Sequence, residues 1–278
     1  MFHVTRGEEM KFYRSLRKLF LQLIEDVKNG SGLLNGVSQK VRNFMQSDEV
    51  DHYLTNVIKK MSMTIRNSSA RSWREAASRG HRGPEIYNLI KNEMQGPVGE
   101  KIWAIISENA AYIKTLPQEW ALYASQYAAR EALRGKRPEV VEAELRKILP
   151  EHMQKNLKTI ARTECAKANA AIVQARAEMC GVKAYFWRSM ADERTRKGHS
   201  MLNGVLVYYN DPPSPEALAG EKSYGKYHAG NTFNCRCYQE PVVDVSFLPD
   251  VVSVYSDGKI YTTSKGALLR KFGNVAEM

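Results

Sequence analysis

The side chains able to bind a metal or to fix a loop by charge gather between residues 192 and 237. Asp192-Glu193-Arg194-Thr195-Arg196 is followed by His199, then by Tyr227-His228, then by Asn234-Cys235-Arg236-Cys237. Two thiolates and two imidazoles, from Cys235, Cys237, His199 and His228, satisfy a tetrahedral zinc ion; His199 with Cys235 and Cys237 alone would leave a fourth place for Asp192 or water. Paired zinc cysteines usually have about two to four residues between them. Here there is one, so in an extended strand the two thiols share a face and need a bend to converge. The competing reading makes the cysteines small buried hydrophobes and leaves His199 hydrogen-bonded locally.

The acidic pair Asp192 and Glu193 lies among Arg194, Arg196 and His199. Arginine forks matched to carboxylates would pin a loop there. The same acids with His199 around a metal and a water would make a hydrolytic centre, which in a basic protein means a metal-dependent nuclease. Other chemistry is not encoded. There is no Gly-rich phosphate loop, no Ser between elbow glycines and no zinc-deaminase signature, so no cofactor other than zinc is expected. His3, His52, His81 and His152 stand apart from any partner motif.

Charge is the one strong compositional deviation. Lys plus Arg number 41 against 30 Asp plus Glu, a net +11, with a sequence pI near 9.4. Such a field attracts nucleic acid or an acidic protein surface. Between Met153 and His199 ten basic residues face four acids. Lys155, Lys158, Arg162, Lys167 and Arg176 are the candidate phosphate contacts of a sequence-independent, salt-sensitive DNA interface. The alternative is a helix face that long basic side chains simply solvate.

The elements that must hold these groups fall into two kinds. Residues 8 to 180 read as helix, with apolar positions three and four apart, as at Phe12, Leu16, Leu19, Leu23 and Val27. Breaks are expected at Gly30-Ser31-Gly32, Arg79-Gly80, Gln95-Gly96-Pro97, Leu116-Pro117 and Gly135. The longest helix should run from about Pro150 to Cys180 and stop at Gly181. On it Arg162, Asn169 and Arg176, spaced by seven, make one polar stripe. Beyond Gly181 the pattern turns to strand at Tyr185-Phe186-Trp187 and Leu206-Val207-Tyr208-Tyr209, with two-residue hairpins expected at Asn203-Gly204 and Asp257-Gly258. The fold class is therefore α+β, a large helical region followed by a small mixed domain. Four cysteines are too few for a secreted disulfide framework, no N-terminal signal segment is recognisable, and no run of 18 apolar residues exists, so neither secretion nor a membrane partner is expected.

Taken in order, Ala161-Arg162-Thr163-Glu164, Asn169-Ala170, Tyr185-Phe186-Trp187, Asp192 to Arg196, His199, Leu202-Asn203-Gly204, Pro212 to Pro215 and Asn234 to Cys237 resemble the phage Mu F-type head morphogenesis domain of tailed-phage minor head proteins. The resemblance covers about residues 100 to 241. It divides the chain into a helical region 1–95, the morphogenesis domain 96–245, and a C-terminal hairpin and short helix 246–278. It marks Arg162, Glu164, Asn169, Trp187, Asp192, Arg194, Arg196, His199 and Gly204 as the motif residues. The sequence departs from the family at His228-Ala229-Gly230, where relatives commonly carry a proline, and this bears on the turn at His228. The resemblance implies a non-enzymatic virion protein inside the head near the portal, assembled in the host cytoplasm, with the portal protein, scaffold or major capsid protein as partners, and DNA as a further one.

Overall fold

A computed structural model describes residues 2–29 and 37–272. Nine α-helices and five strands are described: α1 (Arg6–Asn29), α2 (Val37–Met45), α3 (Asp48–Ser78), α4 (Gly83–Lys91), α5 (Pro97–Leu133), α6 (Pro138–Met179), β1 (Ala184–Arg188), α7 (Lys197–Met201), β2 (Leu206–Tyr208), α8 (Pro215–Leu218), β3 (Tyr238–Pro241), β4 (Val251–Ser256), β5 (Lys259–Ser264) and α9 (Lys265–Phe272). The class is α+β, as the sequence predicts. The expected break at Gly30 to Gly32 lies outside the described residues, as does the side chain of Val27.

Two compact units make up the chain: Arg6–Met61 with Ala104–Ala161, and Met1–Thr5 with Ser62–Trp103 and Arg162–Met278. Helices α3, α5 and α6 each contribute to both units. In the all-helical unit the stripe of α1 is buried at Phe12, Leu16, Leu19 and Leu23. Phe20 meets Trp120 edge-on, with ring centroids 4.8 Å apart, and Lys136 lies between Glu131 and Glu144 at 2.9 and 2.8 Å.

Two proline positions expected to separate helices do not. Helix α5 continues through Pro117, and α6 runs 42 residues through Pro150. Each proline forfeits one backbone hydrogen bond. Burial on both sides of Pro117, at Ile113, Leu116, Trp120 and Ala121, keeps the helix on one course. The C-terminus of α6 follows its sequence. Gly181 takes φ +65°, and Val182 and Gly181 donate to the carbonyls of Ala177 and Glu178 at 2.8 and 3.1 Å. This is a Schellman close, and it turns the chain directly into β1.

The sheet has the order β3-β1-β2-β4-β5. Strand β1 is antiparallel to both neighbours, with Phe186 opposite Leu206 and Glu240; β2 and β4 are parallel through Leu206 and Val254; β4 and β5 form a hairpin. Period-two alternation sorts the side chains into two cores. Tyr185, Trp187, Val207 and Tyr255 join Leu202, Tyr227, Ala229, Cys235 and Cys237 in one. Ala184, Leu206, Val252 and Val254 join Val242, Leu248 and Leu268 in the other. The hairpin expected at Asp257-Gly258 is present, with φ +50° and +82° at the two central residues. The one expected at Asn203-Gly204 is not. The β1–β2 connection contains α7, and Asn203-Gly204 instead turns the chain from α7 into β2, with Gly204 at φ +79° donating to the Trp187 carbonyl at 2.8 Å.

Candidate functional site

Helix α7 and the segment before β3 bring His199, Cys235 and Cys237 together. The three are buried, and one donor atom from each lies within 4.8 Å of the others. The bend that the Cys-x-Cys spacing requires is made at Asn234, which takes φ +51°, with Cys235 N–H donating to Thr232 at 3.2 Å. Thr163 fixes this turn by accepting from Asn234 N–H at 3.0 Å, and Arg162 donates to the Asn234 side chain at 3.0 Å. Both come from the α6 segment quoted in the sequence motif. The cysteines thus sit in the turn before β3 and not in an extended strand.

The imidazole of His199 is oriented from its far side. Its Nδ1 lies 3.3 Å from Cys237 Sγ and 3.6 Å from Cys235 Sγ. Its Nε2 lies 3.0 Å from the Tyr227 hydroxyl, which donates to Glu216 Oε1 at 2.5 Å. Burial, then the Glu216 bond, pushes the Tyr227 phenol far up, so it keeps the proton it donates. With that proton spent on Glu216, the phenol oxygen accepts from His199 Nε2–H. The Nδ1 lone pair is then left facing the two sulfurs. Trp187 stacks edge-on against the ring, centroids 5.5 Å apart.

The approach of α8 to α7 depends on Gly198. A Cβ at this position would stand 1.8 Å from the Pro215 carbonyl oxygen. That contact puts Glu216, 2% exposed with Oε2 lacking a protein partner, within 3.6 Å of His199. Neither Gly198 nor Glu216 stands out in the sequence, since nothing local couples a glycine in one short helix to an acid 18 residues on. A small pocket of about 60 Å³ opens onto the cluster, lined by Met190, Thr195, Asn234 and three arginines, Arg194, Arg196 and Arg236.

The thiols behave as a pair. Cys235 is held well below the ordinary thiol range, chiefly by its hydrogen bond with Cys237. That same bond, with burial, pushes Cys237 up. The two thiols therefore titrate as one coupled unit.

The expected four-ligand set is corrected at His228. Its Nδ1 is taken by the Tyr185 hydroxyl at 3.2 Å, its ring packs against Tyr185 and Tyr209, and among the described residues it is not in the metal-capable group. Burial pushes it down to about 4, so it stays neutral. Gly230, at φ +86°, lets this loop close on α6, where an added Cβ would meet Ala170 Cβ at 3.3 Å.

Asp192 also departs from expectation. Its carboxylate receives both terminal nitrogens of Arg236, each at 2.5 Å, and the Thr195 hydroxyl at 3.1 Å. The Arg236 bond holds its carboxyl well below the usual range. A fork does pin this loop, but the arginine is Arg236; Arg194 reaches Asp192 only at 3.4 Å, and Arg196 donates to the Phe233 carbonyl at 2.8 Å. Among the described residues neither Asp192 nor Glu193 joins the metal-capable group.

The basic stripe on α6 does not survive as a phosphate interface at Arg176. This residue is fully buried; it forks onto Glu93 at 2.7 and 3.0 Å and donates to Ser69 at 2.7 Å. Asn169, on the same spacing, is buried and donates to the Phe2 carbonyl at 2.9 Å. The seven-residue period is real, yet at these two positions it faces protein. Lys167 is half-buried, 3.5 Å from the buried Glu164. Lys158 is exposed, its ammonium 5.8 Å from the Tyr13 ring centroid. The side chain of Lys155 lies outside the described residues.

Residues 125–240 match the model of the family described as Phage Mu protein F like protein. The matched stretch begins inside α5 and ends within β3, so it takes in α6, His199 and both cysteines. An uncharacterized protein of Haemophilus influenzae is 32% identical over 147 residues, which is 53% of this chain and 30% of that protein. The chain thus spans less than a third of that relative's length. No solved structure matches. Among the described residues no helix is long and apolar enough to cross a membrane.

Proposed function

We propose, from the match of residues 125–240 to the family described as Phage Mu protein F like protein, that the protein is a minor component of a tailed-phage head, acting in head morphogenesis by binding rather than by catalysis. The family match is the observation that carries this reading. The portal protein, scaffold or major capsid protein are the partners proposed, and the interior of the head near the portal is the proposed location. A net +11 favours acidic partners, packaged DNA among them.

A non-catalytic role draws support from the use the fold makes of its motif residues. Asp192 is spent on Arg236, Arg162 on Asn234 and Asn169 on Phe2; Trp187 and Glu164 are buried. These contacts tie α6, the Asp192 loop and the turn before β3 into one module. The nuclease alternative requires acids converging beside His199, and Glu216 is the acid found there, across the ring from the pocket.

Purification of procapsids from cells producing the whole phage tests the reading. The protein is expected to copurify in few copies, and its deletion to yield heads of altered composition or infectivity. Normal heads from the deletion would overturn it. Incubation of the purified chain with linear DNA and Mg²⁺, Mn²⁺ or Zn²⁺ is expected to leave the DNA intact.

A further inference from the structure

We propose that His199 Nδ1, Cys235 Sγ and Cys237 Sγ bind one zinc ion, with a water in the fourth position facing the arginine-lined pocket. This rests on the local geometry alone and stands or falls separately from the role in head assembly.

Distance comes first. Zinc holds thiolate sulfur at about 2.3 Å and imidazole nitrogen at about 2.0–2.1 Å, so the sulfur-to-nitrogen edge of a tetrahedral site is about 3.6 Å. The two edges here are 3.3 and 3.6 Å. Small adjustments of a buried, bonded cluster would bring both to that value.

Orientation is the second observation and is independent of the first. A metal-bound histidine characteristically donates its other N–H to a group that fixes its tautomer, most often a carboxylate. The chain from His199 Nε2–H through Tyr227 to Glu216 does this with one hydroxyl interposed. Glu216 itself is buried to 2% exposure, and its Oε2 has no protein hydrogen-bond partner, so the relay ends on a carboxyl group enclosed with the cluster. A divalent ion polarises His199 and strengthens every bond of that chain.

Protonation is compatible as well. Zinc takes cysteine as thiolate and releases the protons. With two thiolates bound the ion and its sulfurs are neutral together, which suits a core also containing Trp187, Leu202 and Val205. The fourth place has no protein donor among the metal-capable residues described; the pocket of about 60 Å³ is large enough for water. Asp192 of the neighbouring loop is held by Arg236 and is not available to the ion. The site therefore clasps α7 to the turn before β3.

The test uses the full chain expressed with zinc in the medium. Elemental analysis is expected to give close to one zinc per chain, and Cys235→Ser, Cys237→Ser and His199→Gln to lose it. His228→Asn is expected to keep it. Tyr227→Phe, which breaks the relay without touching a ligand, is expected to weaken zinc binding about tenfold. Should the ligand variants fail to fold, titration of the metal-free wild-type chain with Co²⁺ still decides. A thiolate-to-cobalt charge-transfer band with the intense visible bands of tetrahedral cobalt supports the site. Wild-type protein with neither zinc nor that band overturns it, as does full zinc retention by the Cys235→Ser/Cys237→Ser double variant.

Discussion

Asp192 and Arg236, 44 residues apart, meet as a two-point ion pair with both guanidinium nitrogens at 2.5 Å from the carboxylate oxygens. The pair bridges the loop before α7 to the residue lying between the two cysteines. It therefore holds in register the two segments that supply the candidate metal ligands.

Arg236→Gln is expected to lower the melting temperature and to raise amide exchange across residues 190–196. Arg236→Lys should recover only part, because a point-charge ammonium cannot reproduce the fork. The pH dependence has a definite sign. A carboxyl depressed in the folded state contributes stability that is full above its unfolded value, near 4, and is lost as pH falls toward the folded value. Melting curves at pH 5 and 7 should therefore show equal benefit from the pair, and curves below about pH 4 a shrinking one.

Glu93 and Arg176 are both fully buried, and Arg66 adds a third bond to Glu93 at 2.7 Å. Glu93→Gln is expected to cost about 3–5 kcal/mol in urea unfolding, since it strands a buried guanidinium. Glu93→Leu with Arg176→Met should cost much less than the sum of the single changes. DNA affinity should be indifferent to Arg176, and a shift in its salt dependence on Arg176→Gln in a folded protein would contradict the burial.

How much of this was legible beforehand differs from residue to residue. Gly181 as a helix stop, the β-rich character of residues 185–187 and 206–208, and the Asp257-Gly258 turn all express local backbone preferences, and local windows reveal them. Arg176 shows the limit. A polar residue at every seventh position looks the same whether it faces water or a carboxylate 83 residues earlier. Pro117 misleads in the opposite direction, because a lost hydrogen bond is a local cost that the packing of Ile113, Leu116, Trp120 and Ala121 outweighs. The cysteines and His199 were identifiable by type, and their convergence was not, since it depends on one left-handed residue, Asn234. Exclusion of His228 rests on Tyr185 and Tyr209, which no spacing rule connects to it.

Two glycines in the same segment should respond differently to alanine. At Gly198 the added carbon meets the Pro215 carbonyl at 1.8 Å, so α7 and α8 must separate; a loss of about 3 kcal/mol or more is expected, at the upper end of overpacking costs. At Gly204 the space is open, with the nearest atom at 3.7 Å, and only the φ of +79° resists. About 1–2 kcal/mol is expected there. Equal losses in denaturant unfolding would show that the α7–α8 contact is less tight than the distance implies.

His228 supplies a second pH effect. Its folded value of about 4 lies below the ordinary value near 6.5 because burial disfavours the cation. The unfolded chain binds the proton first, so stability is full above pH 6.5 and declines down to about pH 4, by roughly 3 kcal/mol in all. Denaturant midpoints of wild type and His228→Asn across that range should converge as pH falls, the wild type losing more.

Strand β4 pairs with β2 in parallel through Leu206 and Val254, whereas the family match stops at residue 240. Strands β4 and β5, with Leu268 of α9 packed beneath them, are thus masonry for the sheet, not an appendage. A fragment trimmed to the boundaries that homology suggests would leave β2 with a bare flank of amides and carbonyls, inviting other chains to dock there. Any dissection of this protein for binding studies should keep the tail through α9 attached.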